Sequence, residues 1–208
     1  MHVLYEDNHL LALNKPADLL TQDSGTTRES LETQARVWIK ERDQKPGNAY
    51  LHAVHRLDTG ASGIVLFAKT SKALSRLQAM IRAREWEKIY LALVSPPPKK
   101  KEATLEHLLQ HGKSHAYVSS EGVTAILSYK EIKREGHKAL LEIDLQTGRY
   151  HQIRAQLKAI GSPIVGDHKY GGLAWAEPGL ALHHHRLTFA HPVTKESLQI
   201  LAEAPWSI

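Results

Sequence analysis

Residues 52–70 read HAVHRLDTGASGIVLFAKT. The second half of this stretch, Ser62 to Ala68, is a seven-residue run with few polar atoms that includes the β-branched Ile64 and Val65. Gly60 precedes it and Lys69-Thr70-Ser71 follows it. A run of that length, without polar alternation and bounded by turn residues, predicts a strand buried on both faces. A polar turn holding His55, Arg56 and Asp58 lies just before it. A turn on the lip of a rigid strand suits a reactive group, because the scaffold fixes the backbone while the side chain stays accessible. Asp58 is therefore the first candidate for chemistry. The alternative is that it closes an Asx-turn before Gly60.

The chain around that stretch has 208 residues, enough for one domain with a substantial core, and the reading is a single domain over 1–208 with two lobes. Lys and Arg number 27 against 22 for Asp and Glu, and that modest surplus suits a polyanionic partner. There is no cysteine, which excludes disulfides and thiol chemistry. No stretch approaches the ~18 apolar residues of a membrane span. The opening MHVLYEDNH places Glu6 and Asp7 where a signal peptide carries basic residues, so a cytoplasmic protein is expected.

Towards the N-terminus, VLYED and NHLLALNK read as two strands joined at Asp7-Asn8, the second ended by Pro16. Thr26 and Glu29 have capping-box spacing before a helix whose stripe is Leu31, Ala35, Trp38 and Ile39. A loop containing Pro46-Gly47 leads back to the central stretch. Beyond it, Thr70 or Ser71 caps a helix carrying Leu74, Leu77 and Ile81. Trp86 to Val94 alternates with a period of two, and Tyr90 points away from the face of Ile89, Leu91 and Leu93. Pro96-Pro97-Pro98 followed by three lysines predicts a stiff link between lobes, near residues 95–102, or the rim of a cleft.

In the second half, Glu102 to Gly122 carries no clear pattern, whereas Val123 to Ile132 and Lys138 to Leu145 read as strands. Thr147 to Leu157, TGRYHQIRAQL, opens a helix with Ile153, Leu157 and Ile160 on one side, ending at Gly161. That spacing places Arg154 at a boundary between core and cleft. Gly166 to Gly172, GDHKYGG, is a glycine-rich loop, and Leu182–Phe189 with Leu198–Leu201 forms a closing hairpin. About eight strands and three helices, mostly joined by short turns, predict an α+β fold with a mainly antiparallel mixed sheet.

Several chemistries are set aside. His107, His111 and His115 lack an interposed Glu, and consecutive residues His183 to His185 would alternate faces on a strand, so no metal is expected. GDHKYGG lacks the strand–loop–helix context of a nucleotide fingerprint, and no serine elbow is present. What remains is Asp58, Arg154, Tyr90 and a basic background. A carboxylate nucleophile must stay ionised, and a nearby cation favours the charged form. Spacing does not establish that these three groups meet.

The blocks HRLDTGASGIVLFAKT, EKIYLALV, TGRYHQIRAQL, GSPIVGDHKYGG and LALHHHRLTFAHP occur in the order of the signature blocks of the RluA family of RNA pseudouridine synthases, which this sequence resembles over essentially its whole length. The resemblance implies a curved, mainly antiparallel central sheet flanked by helices, with the active site in a cleft across it. It implies that Asp58 is the catalytic aspartate, that Arg56 helps extrude the target base, and that Tyr90 packs on the uracil. It also implies that Arg154 pairs with the catalytic carboxylate and that Leu157 lines the uracil pocket. Ala61, Tyr150 and Gln156 depart from the family pattern, which more often has Thr, Thr or Lys, and His there; these changes bear on substrate choice. An S4-type RNA-binding domain is not expected ahead of the catalytic one. The expected activity is conversion of uridine to pseudouridine in structured transfer or ribosomal RNA, a transfer-RNA stem-loop being favoured. No cofactor, metal or obligatory protein partner is expected, and a monomer is. A non-catalytic RNA-binding protein on the same fold is the alternative. A nucleoside or glycoside hydrolase is a third reading, though it would usually need a second carboxylate.

Overall fold

The computed structural model describes residues 1–25, 27–44, 47 and 49–207. The expected contributions of Thr26 to a capping box and of Pro46 to a loop lie outside the described residues. Contacts divide the chain into two units, Met1–Trp86 with Arg186–Glu203, and Glu87–His185 with Ala204–Ile208. The Pro96–Lys101 segment lies within the second unit.

In the first unit, β1 (Val3–Glu6) and β2 (Leu10–Lys15) form an antiparallel hairpin. The carboxylate of Asp7 accepts the backbone N–H groups of His9 and Leu10, each at 2.7 Å, which makes the turn residue-specific. β2 pairs antiparallel with β4 (Ser62–Ala68), the strand read from the central stretch, and β3 (His52–Ala53) pairs with β4 as well. All seven residues of β4 are buried, as a strand without a polar face requires. Ile64, Leu66 and Ala68 pack with Ala73 and Leu77 of α2 (Ser71–Ala83), a helix whose first turn is capped by the Thr70 hydroxyl. Burying side chains such as Leu66 and Leu77 contributes roughly 1.5–3 kcal/mol each.

Ser30, immediately before α1 (Leu31–Arg42), accepts the Thr33 N–H and serves as its N-cap. The buried side of α1 is Leu31, Glu32, Ala35 and Ile39; Trp38 is only half-buried, with the Arg42 guanidinium 4.4 Å from its ring centroid. The hairpin of β10 (Leu182–Ala190) and β11 (Ser197–Leu201) contributes Leu187, Phe189 and Ile200 to this core. The first four residues of β10 belong to the second unit.

The second unit contains β5 (Glu87–Val94), β6 (Glu102–His111), β7 (Ala116–Val118), β8 (Val123–Glu135) and β9 (Lys138–Leu145), in the order β5-β9-β8-β6-β7. Every pairing in that series is antiparallel. β9 alternates as its sequence demands, with Ala139, Leu141, Ile143 and Leu145 buried. α3 (Gln152–Ala159) ends where Gly161 adopts φ +80°, a conformation glycine takes without steric cost. An α+β protein with a mainly antiparallel sheet is what the structure shows. Among the described residues, no helix is long and apolar enough to cross a membrane.

Candidate active site

Asp58 lies in the first unit, on the loop from Val54 to Ala61, and Arg56 on the same loop is exposed. That loop is anchored along its length. Val54 N–H donates to Leu66 O at 2.8 Å, and the His55 ring Nε2 accepts the Leu66 N–H at 3.2 Å. The hydroxyl of Thr21 accepts Leu57 N–H and donates to Leu57 O, both at 3.1 Å. Ala61 N–H closes the turn on Asp58 O at 3.1 Å. Both neighbours of Asp58 are therefore held by side chains from β2 and the segment after it.

The neighbour on the C-terminal side is held by a charge. Lys15, at the end of β2, is fully buried, and its Nζ donates to Pro16 O, Leu19 O and Thr59 O at 2.9, 2.7 and 3.0 Å. A buried ammonium is tolerated only when fully hydrogen-bonded, and three carbonyls match its three donors. Burial pushes its pKa from 10.5 down to about 8, against the opposing pull of the Asp18 and Asp58 carboxylates. Nothing in the sequence marks Lys15 out, because Asn14-Lys15-Pro16 looks like a strand end running into solvent.

The second unit holds the other expected site residues. Tyr90 on β5 is buried and stacked on His184, with ring centroids 4.5 Å apart and planes 10° apart. The period of two puts Tyr90 on the face opposite Ile89, Leu91 and Leu93 as expected, but that face does not point outward: Tyr90, Ala92 and Val94 are all buried, whereas Leu91 is half-buried. Lys88, two residues earlier on the same face, is also partly buried, and burial lowers its pKa against the opposing charge of Asp144. Leu157 is fully buried on α3.

Arg154 on α3 is 7% exposed, so its guanidinium belongs to the interior more than to a boundary. Its Nε and Nη2 donate to the two carboxylate oxygens of Asp167 at 2.7 and 2.8 Å. Such a fork fixes both position and plane of the guanidinium. The Tyr170 ring lies 5.0 Å from the same group, a cation–π contact. No pattern in the sequence singles out Asp167, which belongs to the GDHKYGG loop, thirteen residues from Arg154. The glycines explain that loop. A Cβ on Gly172 would stand 1.9 Å from Ile164 O, and Gly166 at φ +81° would meet Gly179 O at 2.7 Å. Close backbone approach, not nucleotide binding, requires glycine there, and it seats Asp167 with its N–H on Ile164 O.

The turn before α3 is braced by its own helix. The Gln152 side-chain carbonyl accepts the Thr147 hydroxyl at 2.8 Å and Arg149 N–H at 3.0 Å, and its amide donates to Ile126 O. Gln156, deeper in α3, donates to Leu105 O and Ala125 O, each at 3.1 Å. His107 faces that same amide, with its Nδ1 3.1 Å away. Among the described residues, no three His, Asp or Glu side chains are grouped to hold a metal ion.

Comparison with known proteins defines the class. Residues 9–159 match the family model described as RNA pseudouridylate synthase. The chain belongs to that family of isomerases acting on RNA, in its RluA-type branch. It is 35% identical over 218 residues to ribosomal large subunit pseudouridine synthase C of Escherichia coli (strain K12), covering 98% of this chain and 66% of that protein. It is 32% identical over 211 residues to the uncharacterized RNA pseudouridine synthase YhcT of Bacillus subtilis (strain 168), covering 99% and 68%. The chain thus spans about two thirds of the length of these relatives. The solved structure of human RNA pseudouridylate synthase domain containing 4 shares the fold, with a TM-score of 0.82 at 21% identity over 98% of this chain and 88% of that one.

Proposed function

We propose that this chain converts uridine to pseudouridine in structured ribosomal or transfer RNA, with Asp58 as the reacting group. The observation that carries the proposal is the anchoring of the Asp58 loop: Thr21 holds the residue before Asp58, and the buried Lys15 ammonium holds the residue after it. A reacting carboxylate gains from a backbone that cannot wander, because a misplacement of about 1 Å can cost on the order of 100-fold in rate. The family assignment supplies the chemistry, and the name of the Escherichia coli relative supports ribosomal RNA as a substrate class.

In this reading the target nucleotide leaves its stack and enters the site, with Arg56 helping to occupy the vacated place. Tyr90 carries the uracil on its ring, Leu157 contributes apolar lining, and Arg154 is the cation that pairs with Asp58. Asp58 initiates cleavage of the bond between N1 and C1′, through C1′ itself or through the 2′ proton. The detached uracil turns in place and C5 bonds to C1′ as the Asp58–C1′ bond breaks on the first route or as C2′ takes back its proton from Asp58 on the second. The C5 proton is then lost to solvent and N1 regains a proton. The base must stay enclosed throughout, since escape would turn isomerisation into base loss. No cofactor or metal enters these steps, and a cytoplasmic monomer is the form proposed to act.

Digestion of treated RNA to nucleosides tests the reading. Pseudouridine should appear in proportion to uridine lost, with no free uracil. Free uracil would point to hydrolysis, and an unchanged nucleoside profile beside intact RNA binding would point to a non-catalytic RNA-binding protein.

A further inference from the structure

The exposed side of the second unit carries an aromatic cluster that the proposed chemistry leaves unused. Tyr150, 44% exposed, stacks on His151 with ring centroids 3.9 Å apart and planes 18° apart. His111, also exposed, meets Tyr150 edge-on at 4.4 Å. Tyr150 is the exposed ring of the stacked pair, and His151 behind it is buried.

The cluster is fixed from below. His151 holds φ +51°, in the left-handed region, directly ahead of α3. Its Nδ1 lies 3.1 Å from the Tyr170 hydroxyl. That hydroxyl donates its one hydrogen to Ala116 O at 2.9 Å and accepts Ala116 N–H at 2.8 Å. Sharing that hydroxyl with the Ala116 backbone ties the His151 ring to β7 and fixes its position. Tyr170 is the ring beneath the Arg154 guanidinium, so the platform and Arg154 share one support.

Charge at the rim has one sign. The Tyr150 hydroxyl and the Lys169 ammonium both donate to Ser114 O, at 3.4 and 2.9 Å. The exposed ionic side chains of segments 111–116, 149–151 and 168–170 are Lys113, Arg149 and Lys169, with no exposed carboxylate among them. A flat aromatic surface with an ammonium at its edge matches a nucleotide, base on the ring and phosphate at the cation. An acidic peptide would use the cations and leave the ring unemployed.

We propose that Tyr150, supported by His151 and His111, is a stacking platform for an unpaired base of the RNA substrate next to the target nucleotide, with Lys169 taking its phosphate. This deepens the proposed function and rests on it.

The test uses the full chain and a fluorescein-labelled RNA hairpin with an unpaired loop, alongside hairpins that lack one loop base at a time. Tyr150→Ala should weaken binding by roughly 5- to 100-fold, while Tyr150→Phe stays within about twofold. One abasic position should weaken the wild type by a similar factor and have no further effect on Tyr150→Ala. Lys169→Gln should lower the salt slope by about 1, and Tyr150→Ala should leave it unchanged. Matching thermal midpoints would exclude unfolding as the cause. Equal binding by wild type and Tyr150→Ala, or equal sensitivity of both to every abasic position, would overturn the platform. In that case tritium release from total RNA carrying 5-tritiated uridine would still report the isomerase activity independently. A wild-type chain that neither binds the hairpins nor releases tritium would overturn both.

Discussion

Replacing Lys15 with Met removes one ammonium and keeps most of the side chain's length. The three bonds to Pro16 O, Leu19 O and Thr59 O are charge-assisted, and such bonds contribute roughly 1.5–3 kcal/mol each. Against them stands the penalty of burying the charge. Its pKa, pushed from 10.5 to about 8 by burial against the pull of Asp18 and Asp58, shows that burial offsets part of that gain. The balance is a net loss of about 3 kcal/mol in Lys15→Met, a fall in Tm of roughly 6–12 °C for a chain of this size. Freeing Thr59 O should also let Asp58 drift, lowering kcat by on the order of 100-fold with RNA binding retained. Urea and thermal unfolding with single-turnover kinetics read these effects. The pH dependence has a defined sign. A lysine whose folded pKa is depressed destabilises the fold fully below pH 8, and that penalty is relieved as pH rises through 8 towards 10.5. Wild type should therefore gain stability relative to Lys15→Met across that window. Unchanged Tm and kcat in Lys15→Met would refute the role of this ammonium.

Other perturbations probe separate parts of the structure. Asp167→Asn leaves a buried guanidinium without its fork and should cost roughly 3–5 kcal/mol by urea unfolding, together with most of the turnover; a variant as stable and active as wild type would count against Asp167 as the group that orients Arg154. Glu6 accepts from Arg42, at 2.6 and 2.8 Å, and from Lys69 at 2.8 Å, and the Arg42 hydrogen bonds lead in holding its pKa down from 4.5 to about 2. Stability from Glu6 is then present above pH 4.5 and lost as pH falls towards 2; water reaches this cluster, so the effect is about 1 kcal/mol, and Glu6→Gln should flatten that part of the acid-unfolding curve. Gly172→Ala forces a methyl group onto Ile164 O and should cost about 3 kcal/mol, measurable by thermal unfolding.

Local pattern made much of this fold legible. Ser62 to Ala68 needs no partner to declare itself a strand, because it offers no face to water; Thr70 with Leu77 likewise announces a capped, one-sided helix. β6 did not declare itself. Its residues mostly alternate between exposed and half-buried, and it exists through its ladder with β8, information that local sequence does not carry. Thr26 and Glu29 had the spacing of a cap, yet Ser30 does the capping, while the Glu29 carboxylate accepts from Gln34. Of the candidate site, the place of Asp58 on a loop ahead of β4 was legible, because a polar turn there precedes an unmistakable strand. Lys15 and Asp167 were not, because each gains its meaning from atoms far along the chain: Thr59 O for the one, the Arg154 guanidinium for the other. Buried charges are defined by tertiary partners, and no period of two or 3.6 residues encodes them.

The most direct measurement of the central claim is release of tritium to water from total RNA carrying 5-tritiated uridine, taken from a strain that lacks this gene. The purified wild-type chain, without added metal, should release tritium, and Asp58→Asn should bind the same RNA and release none. Release by both proteins, or by neither while binding persists, would contradict the assignment of pseudouridine formation to Asp58.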